Sequence, residues 1–133
     1  VTVRLAADAP LPELARVLAA AALSGARVHV SSAEPVRLGR LLGGFGWTAS
    51  VDTDDAFAAR VAREAPHRIR LIGGDAVELA EAIGGSPAIA VYAGPVTAAG
   101  RIELLPFVRE QAVSVTAHRF GSPDAQMQRL SIG

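Results

Sequence analysis

The chain contains no cysteine and no lysine. Without cysteine there is no disulfide frame, no thiolate nucleophile and no cysteine-based metal site. All 13 basic residues are arginine, which removes Schiff-base chemistry and the lysine of a Walker-type phosphate loop. A long apolar run is missing as well. Nothing approaches the roughly 18–20 residues of a membrane span, and the Ala-rich Leu18–Leu23 reads as the middle of a helix without the basic prelude of a signal peptide. Excess charge of one sign is also absent, because 13 Asp and Glu balance the 13 arginines. With both signs scattered, the basic footprint of nucleic-acid binding is not there. Methionine occurs only at Met127 and the chain opens at Val1, so the sequence reads as a piece of a longer protein.

What is present points to a single domain over residues 1–133, with half the residues hydrophobic and therefore far from disorder. Val1–Leu5, Arg27–Ser31, Trp47–Val51, Arg68–Ile72 and Ala88–Tyr92 are short, apolar or alternating segments that predict strands. Helical spacing separates them. Leu11, Leu14, Leu18 and Ala21, with Val17 beside them, form one stripe, entered through Asp8, Pro10 and Pro12 and stopped by Gly25. A second helix carries Val36, Leu38, Leu41 and Leu42, capped by Ser32 or Glu34, and ends in the turn Gly43–Gly46. A third starts at Thr53 with Asp54 and Asp55 in its first turn, runs through Phe57 and Val61, and breaks at Pro66. Gly73-Gly74-Asp75 turns into a fourth, ended by Gly84-Gly85. Strand and helix alternate, which predicts an α/β, Rossmann-like three-layer domain with a mainly parallel sheet.

Beyond Gly94-Pro95 the pattern changes. Ile102, Leu104, Leu105 and Phe107 are too apolar to stand bare in water, so they either pack under the sheet or meet a partner. Val113, Val115 and Ala117 then alternate with Ser114, Thr116 and His118, predicting a last strand within 109–121 that Ser122-Pro123-Asp124 stops. The segment 109–133 reads as that strand plus a docking tail, in which Arg119, Phe120, Met127, Leu130 and Ile132 remain to grip a neighbour.

No catalytic constellation emerges. The sequence lacks G-x-S-x-G, and His29, His67 and His118 lie on separate elements without metal-ligand spacing. Glu78 and Glu81 read as a solvated helix face, and Trp47 as a packing residue. Gly73-Gly74-Asp75 stands where a doubly wound fold holds a phosphate, but Asp75 would take the helix dipole for itself. A tight turn with an Asp cap is the first reading, and a degenerate nucleotide- or anion-binding site at Glu34, Gly73 and Gly74 is the alternative.

Two stretches carry a family likeness. Ala20–Pro35 is similar to the helix-Gly-strand corner of the NAD-binding domain of aldehyde dehydrogenases, where the corner reads K-P-S-E. Gly94–Phe107 followed by Arg109–Gly121 closely resembles the end of long forms of proline utilization A, a bifunctional proline-catabolic flavoenzyme. The resemblance implies a parent polypeptide that oxidises proline with FAD and glutamate semialdehyde (from pyrroline-5-carboxylate) with NAD, passing the intermediate through an internal tunnel. It implies that this extra C-terminal domain of the aldehyde dehydrogenase superfamily is non-catalytic and carries no cofactor. Its implied role is to cover the tunnel and support the dehydrogenase module, in a cytoplasmic enzyme that can lie peripherally on the inner membrane. The implied partners are the catalytic modules of the same polypeptide, with a homodimer as a further possibility. Departures from the catalytic pattern agree with that role. Ser31 stands at the corner's lysine, Gly74 and Glu78 replace the serine and last glycine of a G-S-x-x-x-G turn, and the catalytic cysteine has no counterpart.

Overall fold

Strand β1 (Thr2–Leu5) is buried along its whole length because it lies at the centre of the sheet. The computed structural model describes residues 1–35 and 39–109 and, farther on, the paired backbone of 118–119 and 122–123. With β2 (His29–Ser32), β3 (Thr48–Val51), β4 (Arg68–Ile72) and β5 (Ala90–Tyr92), β1 builds a five-stranded, all-parallel sheet of order β3-β2-β1-β4-β5. The chain adds β2 and β3 on one side of β1 and then β4 and β5 on the other, which is the doubly wound, Rossmann-like arrangement with helices on both faces. Helices α1 (Leu11–Ser24) and α5 (Gly100–Leu104) pack together on one face, and α3 (Asp54–Glu64) and α4 (Ala76–Ala82) on the other. Helix α2 is described over Gly39–Phe45.

Each face has its own core. Val3, Leu5, Val30 and Ile72 meet Leu14, Val17, Leu18 and Ala21 of α1, together with Leu42, Trp47 and Phe107. On the opposite face Ile69 and Leu71 meet Phe57, Val61 and Leu79. The helix ends follow their sequence chemistry where a specific cap exists. Gly25 closes α1 at φ 67°, Thr53 Oγ1 accepts from the Ala56 amide, and Asp75 accepts from the amides of Val77 and Glu78.

Several expectations shift. Asp8 does not cap α1, because Pro10 is the N-cap and Pro12 lies in the first turn, so the two prolines set the entry. Leu11, at the head of the predicted stripe, is exposed. Ser32 is the last residue of β2, and its hydroxyl donates to the Glu34 carbonyl; the start of the second helix, where Ser32 or Glu34 is expected as the cap, lies outside the described residues. The predicted helix residues Val36 and Leu38 lie outside the described residues. Gly43 and Gly44 are helical rather than a turn, with only Gly46 turning at φ 65°. Burial of Leu42 and stacking of Phe45 on Trp47 at 4.7 Å hold that last turn against the low helix propensity of glycine.

The irregular passage after Gly94 contains α5, which the sequence reading did not assign. A buried ion pair fastens it: Arg70 on β4 and Glu103 on α5, both side chains 4% exposed, meet at 3.1 Å. Arg70 also donates to the carbonyls of Leu71, Tyr92 and Gly94, while Glu103 accepts from the Thr97 amide. Of the predicted last strand, Arg109 bounds the described part and 110–117 lie outside it. His118–Arg119 (β6) pairs antiparallel with Ser122–Pro123 (β7), so the serine and proline expected to stop a strand return along it. Removing one partner of a satisfied buried pair strands the other, so Glu103→Ala is expected to cost about 3–5 kcal/mol in denaturant unfolding. Arg70→Met combined with Glu103→Leu should recover much of that loss in the same measurement.

Candidate functional site

The parallel register aligns Thr2, His29 and Thr48 across the sheet, and likewise Arg4, Ser31 and Ser50. Period two sends both rows to the α3 side. The face beneath α3 is therefore polar where an ordinary core would be apolar, and Asp52, just past β3, gathers it. Its Oδ2 accepts from Ser31 Oγ at 2.7 Å, Ser50 Oγ at 2.6 Å and Arg60 at 2.8 Å. Arg4, only 1% exposed, donates to Ser31 Oγ, to the Asp52 carbonyl and, at 2.6 Å, to Asp54. The guanidiniums of Arg4 and Arg60 lie 4.8 and 5.6 Å from the Phe57 ring centroid, where the electron-rich face offsets part of their desolvation. The Nε atoms of both arginines are buried without a hydrogen-bond partner.

Serine, histidine and aspartate meet here, but not as a nucleophilic triad. Ser50 gives its proton to Asp52, so it accepts from His29 Nε2–H at 2.9 Å, and His29 Nδ1 accepts from Thr48 Oγ1 at 2.8 Å. A catalytic histidine would instead accept the serine proton while the carboxylate held its other nitrogen. Burial, reinforced by Arg60, lowers the His29 pKa below its ordinary value. Burial alone would raise that of Asp52, but the Ser50 and Ser31 hydrogen bonds with Arg60 and Arg4 outweigh it and hold the carboxyl below the usual range. The cluster clasps β1, β2, β3 and α3 together.

The places where this fold would hold a nucleotide are filled by the chain's own groups. Gly73 and Gly74 turn at φ 69° and 70°. A Cβ on Gly73 would lie 2.9 Å from Ala9 Cβ and 3.0 Å from Asp8 Oδ1, so the β4–α4 loop is seated directly on the β1–α1 loop. Asp75 occupies the first free amides of α4. Glu34 is exposed beyond the end of β2. Between α3 and α4 there is a cleft of about 120 Å³, floored by Phe57, Leu71 and Leu79 and rimmed by Asp54, Asp55, Asp75 and Glu78. It is smaller than the roughly 300 Å³ at which ligand pockets begin, and its carboxylates repel phosphate.

The residues expected to contact a partner divide. Phe107 is 8% exposed within the α1-side core, and Leu104 packs against that core. Ile102 projects outward, as do Leu105 and Val108. Arg119 lies on β6, whereas Phe120, Met127, Leu130 and Ile132 fall outside the described residues. Among the described residues no group of three or more His, Asp or Glu side chains is placed to hold a metal ion. No helix described is long and apolar enough to cross a membrane. No protein family, curated protein or solved structure matches the chain.

The sequence reading missed Arg4, Asp52, Asp54 and Arg60 as members of one cluster. The signal was present in the alternation of Thr2/Arg4, His29/Ser31 and Thr48/Ser50, three strands whose second face is polar in register. The stability supplied by Asp52 is complete above its unfolded pKa of about 3.9 and is lost as pH falls through the lower folded value. Asp52→Asn should therefore lower the thermal midpoint at neutral pH and make its decline below pH about 4 shallower, as thermal melts across a pH series would read.

Proposed function

We propose that the chain is a non-catalytic structural and assembly domain of a bifunctional proline-catabolic enzyme of the proline utilization A type. In this reading its Rossmann-like body derives from the NAD-binding domain of aldehyde dehydrogenases and has lost the cofactor. It covers the tunnel that carries the intermediate and supports the dehydrogenase module of the same polypeptide. FAD and NAD belong to the parent's catalytic modules.

The observation that carries the proposal is the self-occupation of the nucleotide positions. The phosphate turn is closed by Ala9 and Asp8, and the helix amides are taken by Asp75. The hydroxyl of Ser31, which stands at the family's ribose-binding lysine, is spent on Arg4 and Asp52. With the contacts at its phosphate turn and at Ser31 made internally, the fold keeps its shape as its useful property. The outward side chains of Ile102, Leu105 and Val108 then offer one surface to a neighbouring module.

Calorimetric titration of the chain with millimolar NAD should give no specific heat. A saturable heat of micromolar affinity that disappears on mutating Gly73 would overturn the loss of cofactor and favour a degenerate nucleotide site. In the parent, truncation after Gly121 should slow aldehyde oxidation and introduce a lag in coupled turnover while leaving proline oxidation near its original rate. Unchanged aldehyde oxidation with no lag would remove the tunnel-covering role.

A further inference from the structure

We infer that the free edge of β3 is an interface between two copies of this chain, paired antiparallel about a two-fold axis through Ser50. The inference starts from the direction of the backbone groups. The amides of Thr48 and Asp52 donate inward to the carbonyls of Val28, just before β2, and Ser32, at its end. In a parallel ladder alternate residues turn both polar groups the same way, so Ala49 and Val51 turn N–H and C=O away from the sheet. Among the described residues nothing pairs with this edge, since β3 is terminal in the strand order. Ala49 and Val51 are exposed, Val51 to 57%.

Such edges are ordinarily blunted by charge, proline or a bulge. Here Trp47–Val51 carries none of these, and the His29 bonds to Thr48 and Ser50 hold the strand extended. The edge is also complementary to itself. With the axis at Ser50, Ala49 of one copy exchanges both backbone hydrogen bonds with Val51 of the other, and symmetry repeats the exchange. Centring the pair on Ala49 would bring Val51 opposite Trp47, whose amide already donates to the Leu42 carbonyl. The Ser50 register satisfies the outward groups of Ala49 and Val51 in both copies. It sets the methyl of Ala49 against Val51 on one face and Ser50 against its own copy on the other, and neither contact is too large for the close spacing of an antiparallel pair. The Phe45 end of each copy, half exposed and stacked on Trp47, comes beside the Val51 end of its partner. Zero net charge means that the copies do not repel over distance. Four residues of edge fall short of the roughly 800 Å² per partner of a stable interface, so the dimer is weak and reversible.

The test combines sedimentation equilibrium from micromolar to millimolar concentration with amide hydrogen exchange. A reversible dimer is expected, in which the Ala49 and Val51 amides gain protection as concentration rises. Val51→Pro deletes an outward donor in each copy at a position where an edge strand tolerates proline, and should weaken association at least about tenfold. Ala49→Lys, at an exposed residue, should do the same by charge, with the thermal midpoint at low concentration verifying that each variant folds. A monomer throughout the range would overturn the proposal, whether these amides exchange freely or are protected by a strand of the same chain. A dimer indifferent to both substitutions would overturn it equally, by placing the contact on another face.

Discussion

A buried guanidinium sits at the centre of the sheet, and much of the α3 side follows from it. Arg4 is on the middle strand with almost no access to water, so its charge must be met by fixed acceptors or the strand could not be buried. Those acceptors come from β2, from the residue after β3 and from the first turn of α3. Their positions in turn fix where α3 lies. Phe57 is pinned between Arg4 and Arg60, and Asp52 becomes the point at which four elements are tied.

The alternation of elements, the central position of apolar strands and the caps at Gly25, Thr53 and Asp75 were legible because each rests on local chemistry. The cluster around Asp52 was not, because its members come from residues 4, 31, 50, 52, 54 and 60 and meet only once the strand order is known. Knowing that β2 lies between β1 and β3 turns three unremarkable alternations into one polar surface. Helix α5 was hidden for a related reason. Its sequence is short and lacks a side-chain cap, and it is held by Arg70, thirty-three residues earlier. The glycines at 43 and 44 misled in the opposite direction, since tertiary packing of Leu42 and Phe45 overrode their local preference.

The same arrangement commits the polar groups of the cluster to one another. Hydroxyls, a histidine and a carboxylate that could have formed a reactive set are spent on one another, and their protons run toward Asp52 rather than toward a base. The loops at the carboxyl ends of the central strands, where doubly wound proteins usually act, are in contact across Gly73 and Ala9. Both features commit these positions to contacts within the chain itself.

The two buried arginines grip opposite sides of the sheet, Arg4 toward α3 and Arg70 toward α5. They are carried by β1 and β4, which are hydrogen-bonded neighbours. The two helical layers are consequently attached independently. The α3 layer combines the apolar contact of Phe57 and Val61 with a network of polar bonds converging on one carboxylate, and the α1–α5 layer a broader apolar contact with a single ion pair. Protonating the Asp52 carboxyl therefore weakens the hold on α3 while leaving the Arg70–Glu103 fastening of α5, on the opposite face, outside that change.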